Sequence, residues 1–122
     1  YELTRRYVRE REVFGKPLEK WQITRHKLAQ MSAEITMLRC NAAHCLDLAS
    51  QNKDYTREVS MLKLVSAQIQ QKIMEECVQI FGGYGLMSEY EVARYFRDAK
   101  LMSIGGGTNE VMKEIIAKSE GL

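Results

Sequence analysis

The segment "WQITRHKLAQMSAEITMLRCNAAHCLDLASQ", residues 21–51, decides the fold class of this chain. Its apolar and small side chains recur at steps of three and four residues: Leu28, Met31, Ile35, Leu38, Ala42, Cys45 and Ala49. Such spacing places these side chains on one face of an α-helix of about six turns. No stretch of useful length alternates between apolar and polar residues, so we expect no β-strands.

The same periodicity predicts a helix on each side of this segment. The first covers residues 1–12 and follows no capping residue, so we expect the chain to be a fragment of a longer protein. The second covers 55–80, with Asp54 as its N-cap and Gly82–Gly83 at its end. Its apolar residues occupy more than one side, which is typical of a helix covered by several neighbours or by a partner subunit.

Two shorter helices are predicted near the C-terminus. Ser88 and Glu91 have the spacing of a capping box, which opens a helix running toward Met102. Thr108 is the expected N-cap of a last helix through Lys118. The sequence therefore predicts an all-α fold: an antiparallel four-helix-type bundle with a short extra C-terminal helix, forming one domain over residues 1–122.

Composition narrows the function classes. The net charge of +2 over 122 residues is too small to favour nucleic acid or an anionic membrane as partner. No apolar run approaches the roughly 20 residues of a membrane span. The three cysteines, Cys40, Cys45 and Cys77, lie on apolar faces, so we expect free, packed thiols in a reducing compartment. His26 and His44 are too far apart on one helix to share a metal, and no metal site is expected.

Two glycine-rich loops, "GGYG" (82–85) and "GGG" (105–107), invite a nucleotide-binding interpretation. Neither follows a strand, as a dinucleotide-binding fingerprint requires, and no Gly-Lys-Ser/Thr forms a phosphate-binding loop. Each loop, taken alone, is either a helix end or a place where backbone approaches a ligand closely.

Three segments read in order identify a family. "YVREREVFGKPLEKWQ" (7–22), "CVQIFGGYGLMSEYEVARYFRDAK" (77–100) and "IGGGTNEVMKEIIAK" (104–118) resemble the C-terminal helical domain of acyl-CoA dehydrogenases. The resemblance implies an FAD-dependent oxidoreductase of fatty acid metabolism that introduces an α,β double bond into an acyl-CoA thioester. It implies a homotetramer, a dimer of dimers with this bundle at its core. It also implies electron-transfer flavoprotein as acceptor, and an intracellular location in the mitochondrial matrix of a eukaryote or the bacterial cytoplasm.

The resemblance also assigns cofactor and substrate residues. One group is expected to contact the FAD of a neighbouring subunit: Arg11, Phe14, Gln22, Gln79, Ile80, Phe81, Gly82 and Gly83. A second group is expected to contact FAD bound largely by its own subunit: Thr108, Asn109 and Glu110. Gly106 and Gly107 are expected to lie beside the substrate.

No catalytic residue is expected within the chain. Many members carry the proton-abstracting Glu where this sequence has Gly106. The segment "GGGTNE" (105–110) resembles the long-chain and isovaleryl-type branch, whose base lies on the preceding long helix, here upstream of Tyr1. Glu2 and Glu10 do not match that position.

Other interpretations stay open from sequence alone. The same bundle occurs in acyl-CoA oxidases and other flavoproteins of the superfamily, and a helical module that only self-associates is a third possibility. Arg11 and the Arg97–Asp98 pair also fit plain surface ion pairs. Arg11, Gln22 and the Gly-Thr-x-Glu group favour the enzyme, because a scaffold does not need them.

Overall fold

The computed structural model describes all 122 residues, as five α-helices and one short hairpin. The elements are α1 (Glu2–Glu10), β1 (Glu12–Val13), β2 (Lys16–Pro17), α2 (Gln22–Ser50), α3 (Thr56–Phe81), α4 (Glu91–Ala99) and α5 (Asn109–Ser119). Three 3₁₀ turns connect them, at Leu18–Lys20, Gly82–Leu86 and Lys100–Ser103. The predicted all-α architecture is confirmed.

Helix α3 is the centre of the bundle, since it contacts α1, α2, α4 and α5. The core cluster joins α3 to α2 and α4 through five buried side chains, Met31, Ile73, Cys77, Phe81 and Val92. The predicted stripe of α2 is buried or half-buried at every position, as the three-and-four spacing requires. The 29 residues of α2 pack mainly against α3 and the first 3₁₀ turn, so the rest of its surface has no partner within the chain.

Of the three predicted N-caps only Thr108 is confirmed, because the N-cap of α3 is Tyr55 and Asp54 lies one residue before it. The Asp54 carboxylate accepts hydrogen bonds from the Thr56 backbone N–H (3.0 Å) and hydroxyl (2.7 Å). The Thr108 hydroxyl oxygen accepts one from the Val111 N–H (3.3 Å). The predicted Ser88 cap is wrong: the Tyr90 N–H bonds to the Met87 carbonyl (3.1 Å), and this turn delays α4 to Glu91 without a side-chain cap.

The prediction of no strands is wrong at one place. Residues 12–17 form an antiparallel hairpin that pairs Glu12 with Pro17 and Val13 with Lys16. Its two-residue turn places Phe14 (φ 51°) and Gly15 (φ 79°) in the left-handed region, as a type I′ turn does. Strands of two residues are too short to show alternation, and the hairpin ends α1 two residues before the predicted limit.

The three cysteines differ in burial. Cys45 and Cys77 are buried free thiols, as expected, but Cys40 is exposed because it lies on the side of α2 opposite the buried stripe. None of the helices combines the length and the apolar character needed to cross a membrane.

Candidate functional site

The end of α1, the hairpin and the C-terminal end of α3 enclose a pocket of about 450 Å³, which we call the turn pocket. Its lining is mainly apolar and aromatic, with one charged side chain: Tyr7, Arg11, Val13, Leu18, Ile80, Phe81, Gly82, Gly83, Tyr84 and Met87. Five residues predicted from sequence to contact FAD therefore meet here: Arg11, Ile80, Phe81, Gly82 and Gly83.

Arg11 is the cation of the turn pocket. It caps the C-terminus of α1 with extended backbone (φ −81°, ψ 119°), and its N–H bonds to the Tyr7 carbonyl at 2.8 Å. The guanidinium lies over the Tyr84 ring, 5.4 Å from its centroid, and belongs to none of the chain's ion pairs. Arg11 is thus oriented by an aromatic ring with its charge unneutralised, whereas Arg97 pairs with neighbouring Asp98 at 3.0 Å.

Aromatic side chains give the pocket a stiff wall. The Tyr7 ring stacks on Phe81 with centroids 4.0 Å apart, and its hydroxyl donates to the Phe81 carbonyl at 3.3 Å. Tyr84 stacks on Tyr90 at 5.2 Å. Burial raises the pKa of Tyr7, although the nearby Arg11 charge acts in the opposite direction. Tyr7 therefore stays a neutral hydrogen-bond donor.

The glycines of residues 82–85 serve different purposes. Gly82 ends α3 at φ +62°, a conformation that favours glycine. A Cβ built on Gly82 or Gly83 meets no atom within 4 Å, so this backbone is open to a ligand. A Cβ on Gly85 meets the Val78 carbonyl oxygen at 2.7 Å, so Gly85 is required for packing. The helix-end interpretation is confirmed at Gly82, and the close approach of a ligand at Gly82–Gly83 stays a prediction.

Three predicted cofactor residues lie outside the pocket lining. Phe14 is at the hairpin tip, 90% exposed, with its ring edge toward Trp21 at 6.3 Å between centroids. Gln22 is the exposed first residue of α2, and Gln79 is exposed on α3. The left-handed backbone of Phe14 follows from the hairpin turn, and its side chain is left exposed at the tip.

The remaining predicted residues form a second region, residues 105–110, which we call the glycine loop. Gly106 (φ +66°) and Gly107 (φ +100°) turn the chain from α4 into α5. A Cβ on Gly106 meets nothing within 4 Å, whereas one on Gly107 meets the Met112 methyl carbon at 2.7 Å. The flanking Leu101 and Ile104 side chains are 63% and 56% exposed, so the loop lies open beside an apolar surface.

The start of α5 supplies polar groups to this loop. Thr108 caps the helix, and the pKa of Glu110 is lowered by hydrogen bonds from its own backbone and from the Thr108 side chain. Lys113 and Lys100 lower it further through their charges. Glu110 is accordingly a stable carboxylate at the N-terminal end of α5, where a negative charge is favourable.

The two regions lie at different ends of α3. The glycine loop contacts Lys63, and the turn pocket contacts Phe81. Eighteen residues at 1.5 Å rise separate these positions by about 27 Å along the helix axis. The predicted cofactor residues therefore form two clusters rather than one.

Sequence reasoning missed several contributors. Tyr7, Val13, Leu18, Tyr84 and Met87 line the turn pocket, and Lys63 contacts the glycine loop. Tyr7 was detectable as the residue one helical turn before Arg11, and Tyr84 lies within the quoted "GGYG". Lys63 gave no local signal, because its contacts are about 40 residues away.

The turn pocket fits the FAD that the resemblance implies. Its flat aromatic wall suits a planar ring system, the open glycine backbone accepts close approach, and the unpaired Arg11 suits a phosphate. No group of three or more His, Cys, Asp or Glu side chains is placed to hold a metal ion.

Comparison with known proteins gives one consistent result. The family model of the acyl-CoA dehydrogenase C-terminal domain matches residues 1–121. The mitochondrial long-chain specific acyl-CoA dehydrogenase of Sus scrofa is 40% identical over 118 residues, which cover 97% of this chain and 27% of that protein. The chain thus spans about a quarter of the length of this curated relative.

Solved structures agree. A probable acyl-CoA dehydrogenase from Mycobacterium abscessus superposes with a TM-score of 0.95 at 42% identity, over 98% of this chain and 32% of that one. A structure described as the FAD complex of PigA superposes with a TM-score of 0.92 at 26% identity, over 99% of this chain and 32% of that one.

Proposed function

The chain belongs to the acyl-CoA dehydrogenase family, whose C-terminal domain it matches, and from this premise we propose that it is the cofactor-contacting, subunit-joining domain of a longer FAD-dependent enzyme. The proposed reaction is the α,β-dehydrogenation of an acyl-CoA thioester. The observation that carries the proposal is the division of the predicted cofactor residues into two clusters about 27 Å apart along α3.

In this proposal each cluster serves a different FAD. The turn pocket contacts the cofactor of a neighbouring subunit, with Arg11 facing its pyrophosphate and Gly82–Gly83 its adenosine side. The exposed Phe14, Gln22 and Gln79, which lie outside the pocket lining, extend the same contact. The glycine loop, with Thr108, Asn109 and Glu110, contacts the FAD held by its own subunit. Bound FAD supplies the hydride acceptor for the β-carbon of the substrate.

The glycine loop also shapes the substrate site. Gly106 lacks a side chain and borders open space, which we assign to the acyl chain beside the apolar Leu101 and Ile104, whereas Gly107 packs against Met112. Because Gly106 cannot remove a proton, we propose that a carboxylate on a preceding helix of the full-length enzyme takes the α-proton. The chain's own contribution is to bind, orient and exclude water.

The uncovered helix surfaces support self-association, and the proposed assembly is a homotetramer. On helix α2 the side chains of Ile23, Met37 and Leu46 are 64%, 70% and 71% exposed, and on α3 Val59 and Val65 are also exposed. Apolar side chains on two adjoining helices without an intrachain partner are typical of a subunit interface. In this proposal the exposed Phe14 at the hairpin tip inserts into the same neighbouring subunit.

The proposed partners are an acyl-CoA substrate and an electron-transfer flavoprotein as acceptor. The proposed location is intracellular: the mitochondrial matrix in a eukaryote or the cytoplasm in a bacterium. The free thiols of Cys40, Cys45 and Cys77 agree with a reducing compartment.

The test is anaerobic reduction of the full-length, FAD-loaded enzyme by a series of acyl-CoA thioesters. The proposal expects the flavin absorbance near the visible maximum to bleach with at least one thioester and not with the free acid. Slow reoxidation by oxygen and fast reoxidation by electron-transfer flavoprotein identify a dehydrogenase. Rapid hydrogen peroxide formation identifies an oxidase, and an enzyme that binds no flavin contradicts the proposal.

A further inference from the structure

Lys63 lies in the N-terminal third of α3, half-buried, with its ammonium group directed at the end of the α4 segment. Its Nζ donates to the Met102 carbonyl at 2.5 Å and to the Gly105 carbonyl at 2.9 Å. It takes part in none of the chain's ion pairs. The other lysine of α3, Lys72, pairs with Glu34 of α2 and serves as an internal reference.

The accepted carbonyls belong to the stretch that α4 leaves unpaired. After Ala99 the chain tightens into the 3₁₀ turn Lys100–Ser103, where the Ile104 and Gly105 N–H groups both bond to the Leu101 carbonyl, at 2.9 and 2.7 Å. The last carbonyls of such a segment lack helical partners and carry partial negative charge. A lysine that binds two of these carbonyls supplies the missing hydrogen-bond donors and also a positive charge that balances their partial negative charge.

The hydrogen bonds from Lys63 hold the carbonyls that lie directly before the flexible part of the glycine loop. Gly105 directly precedes Gly106 and Gly107, whose left-handed backbone has no Cβ to stiffen it. A Cβ built on Gly106 would meet no atom within 4 Å, and one on Gly107 would meet only the flexible Met112 side chain. Lys63 is therefore the polar anchor that ties this loop to the rigid central helix.

We propose that Lys63 is the positioning residue of the glycine loop, which sets the loop's distance from substrate and flavin by holding the Met102 and Gly105 carbonyls. Its role in catalysis rests on the proposed function of the loop, whereas its role in ordering the loop does not. Lys63 makes no contact with reacting atoms in this account and acts through residues 105–108.

The experiment compares Lys63→Met, Lys63→Arg and Lys72→Met in the full-length enzyme. Methionine keeps most of the side-chain length and removes the donors, arginine retains donors and charge, and Lys72→Met removes the same charge from the same helix. Hydrogen–deuterium exchange over residues 101–108 reports loop order, and steady-state kinetics with an acyl-CoA report KM and kcat separately.

For Lys63→Met we expect amide exchange over 101–108 to accelerate about tenfold or more and KM to rise about tenfold, with a smaller change in kcat. Lys63→Arg should recover most of both effects, and Lys72→Met should show neither. If Lys63→Met does not fold, Lys63→Gln replaces it with a shorter donor and should give an intermediate acceleration.

The proposal would be overturned if amide exchange over residues 101–108 and KM were the same in Lys63→Met as in Lys72→Met. It would also be overturned if Lys63→Arg exchanged as fast over these residues as Lys63→Met. The exchange measurement needs neither flavin nor turnover. If the wild-type enzyme oxidises no acyl-CoA, the proposed function fails, while the exchange result still decides whether Lys63 orders the loop.

Discussion

Two glycine-rich turns end two helices of this chain, yet they are built in opposite ways. At residues 82–85 the turn packs into an aromatic pocket, and Gly85 touches the backbone of α3 through Val78. At residues 105–107 the turn lies open, with exposed apolar neighbours and a lysine as its anchor. Glycine thus gives close packing in one place and empty space in the other.

The difference indicates what each turn can bind. A stiff pocket with flat rings and an oriented cation holds one planar, charged ligand in one pose. An open loop on a single polar anchor leaves room for chains of varying shape and can shift by small amounts. This contrast agrees with a cofactor fragment at the turn pocket and a substrate at the glycine loop.

Gly85→Ala should give the largest effect, because its Cβ meets the Val78 carbonyl oxygen at 2.7 Å, a backbone atom that cannot swing away. We expect a loss of about 3 kcal/mol in the free energy of unfolding. Gly83→Ala is the matched control: its Cβ meets nothing within 4 Å, so the stability change should stay within about 0.5 kcal/mol. Chemical denaturation measures both, and equal losses would show that the turn is not packed as described.

Arg11→Ala should act on cofactor binding rather than on folding. Its guanidinium lies over the Tyr84 ring and forms no ion pair within the chain, so its removal should cost little stability. Loss of a charge-assisted contact to phosphate should weaken FAD binding by about 2 kcal/mol, roughly thirtyfold. Arg25→Ala removes another exposed positive charge away from the turn pocket. FAD titration of the apoenzymes that gives the same affinity for both variants would remove Arg11 from the cofactor site.

The smallest predicted effect is on the pH dependence of folding stability, which should fall at high pH through Tyr7 of the turn pocket and at low pH through Glu110 of the glycine loop. The raised pKa of Tyr7, caused mainly by burial, gives stability that is present below its usual pKa of 10.0 and lost as pH rises above it. The lowered pKa of Glu110, caused mainly by its backbone hydrogen bond, gives stability present above 4.5 and lost as pH falls below it.

Unfolding curves from pH 3 to pH 11 measure both limbs. Tyr7→Phe should flatten the alkaline limb alone, and Glu110→Gln should flatten the acid limb alone. A variant that changes the opposite limb would show that the two turns are coupled rather than independent.

The sequence was sufficient for the helices and for half of the residues that line the turn pocket. The three-and-four spacing of residues 28–49 carries the information for a buried face, and helix ends are marked by Asp54, Gly82 and Thr108. These are local signals, because neighbouring residues on the chain are neighbours in a helix.

The features that sequence did not reveal depend on contacts between distant residues or on very short elements. Lys63 meets Gly105 across 42 positions, and Arg11 meets the Tyr84 ring across an even longer span. The hairpin of residues 12–17 has two residues per strand, which no alternation can reveal. Cys40 was misplaced because its side of α2 is rich in small residues, which resemble a buried face in composition.

The central claim is that the turn pocket and the glycine loop of one chain serve two different FAD molecules. Hybrid enzymes test it directly. One full-length subunit carries Arg11→Ala with Gly83→Val, which disables the turn pocket; the other carries Thr108→Val with Glu110→Gln, which disables the glycine loop. Flavin content per subunit is measured for each parent and for the co-expressed hybrid, purified through two different tags.

If each FAD is shared between subunits, the hybrid has one site built from two intact regions and one built from two damaged regions. The account predicts that both parents lose FAD and that the hybrid recovers about half of the wild-type flavin. If both regions serve the same FAD within one subunit, every site in the hybrid stays damaged. Flavin content no higher than that of the parents would contradict the account.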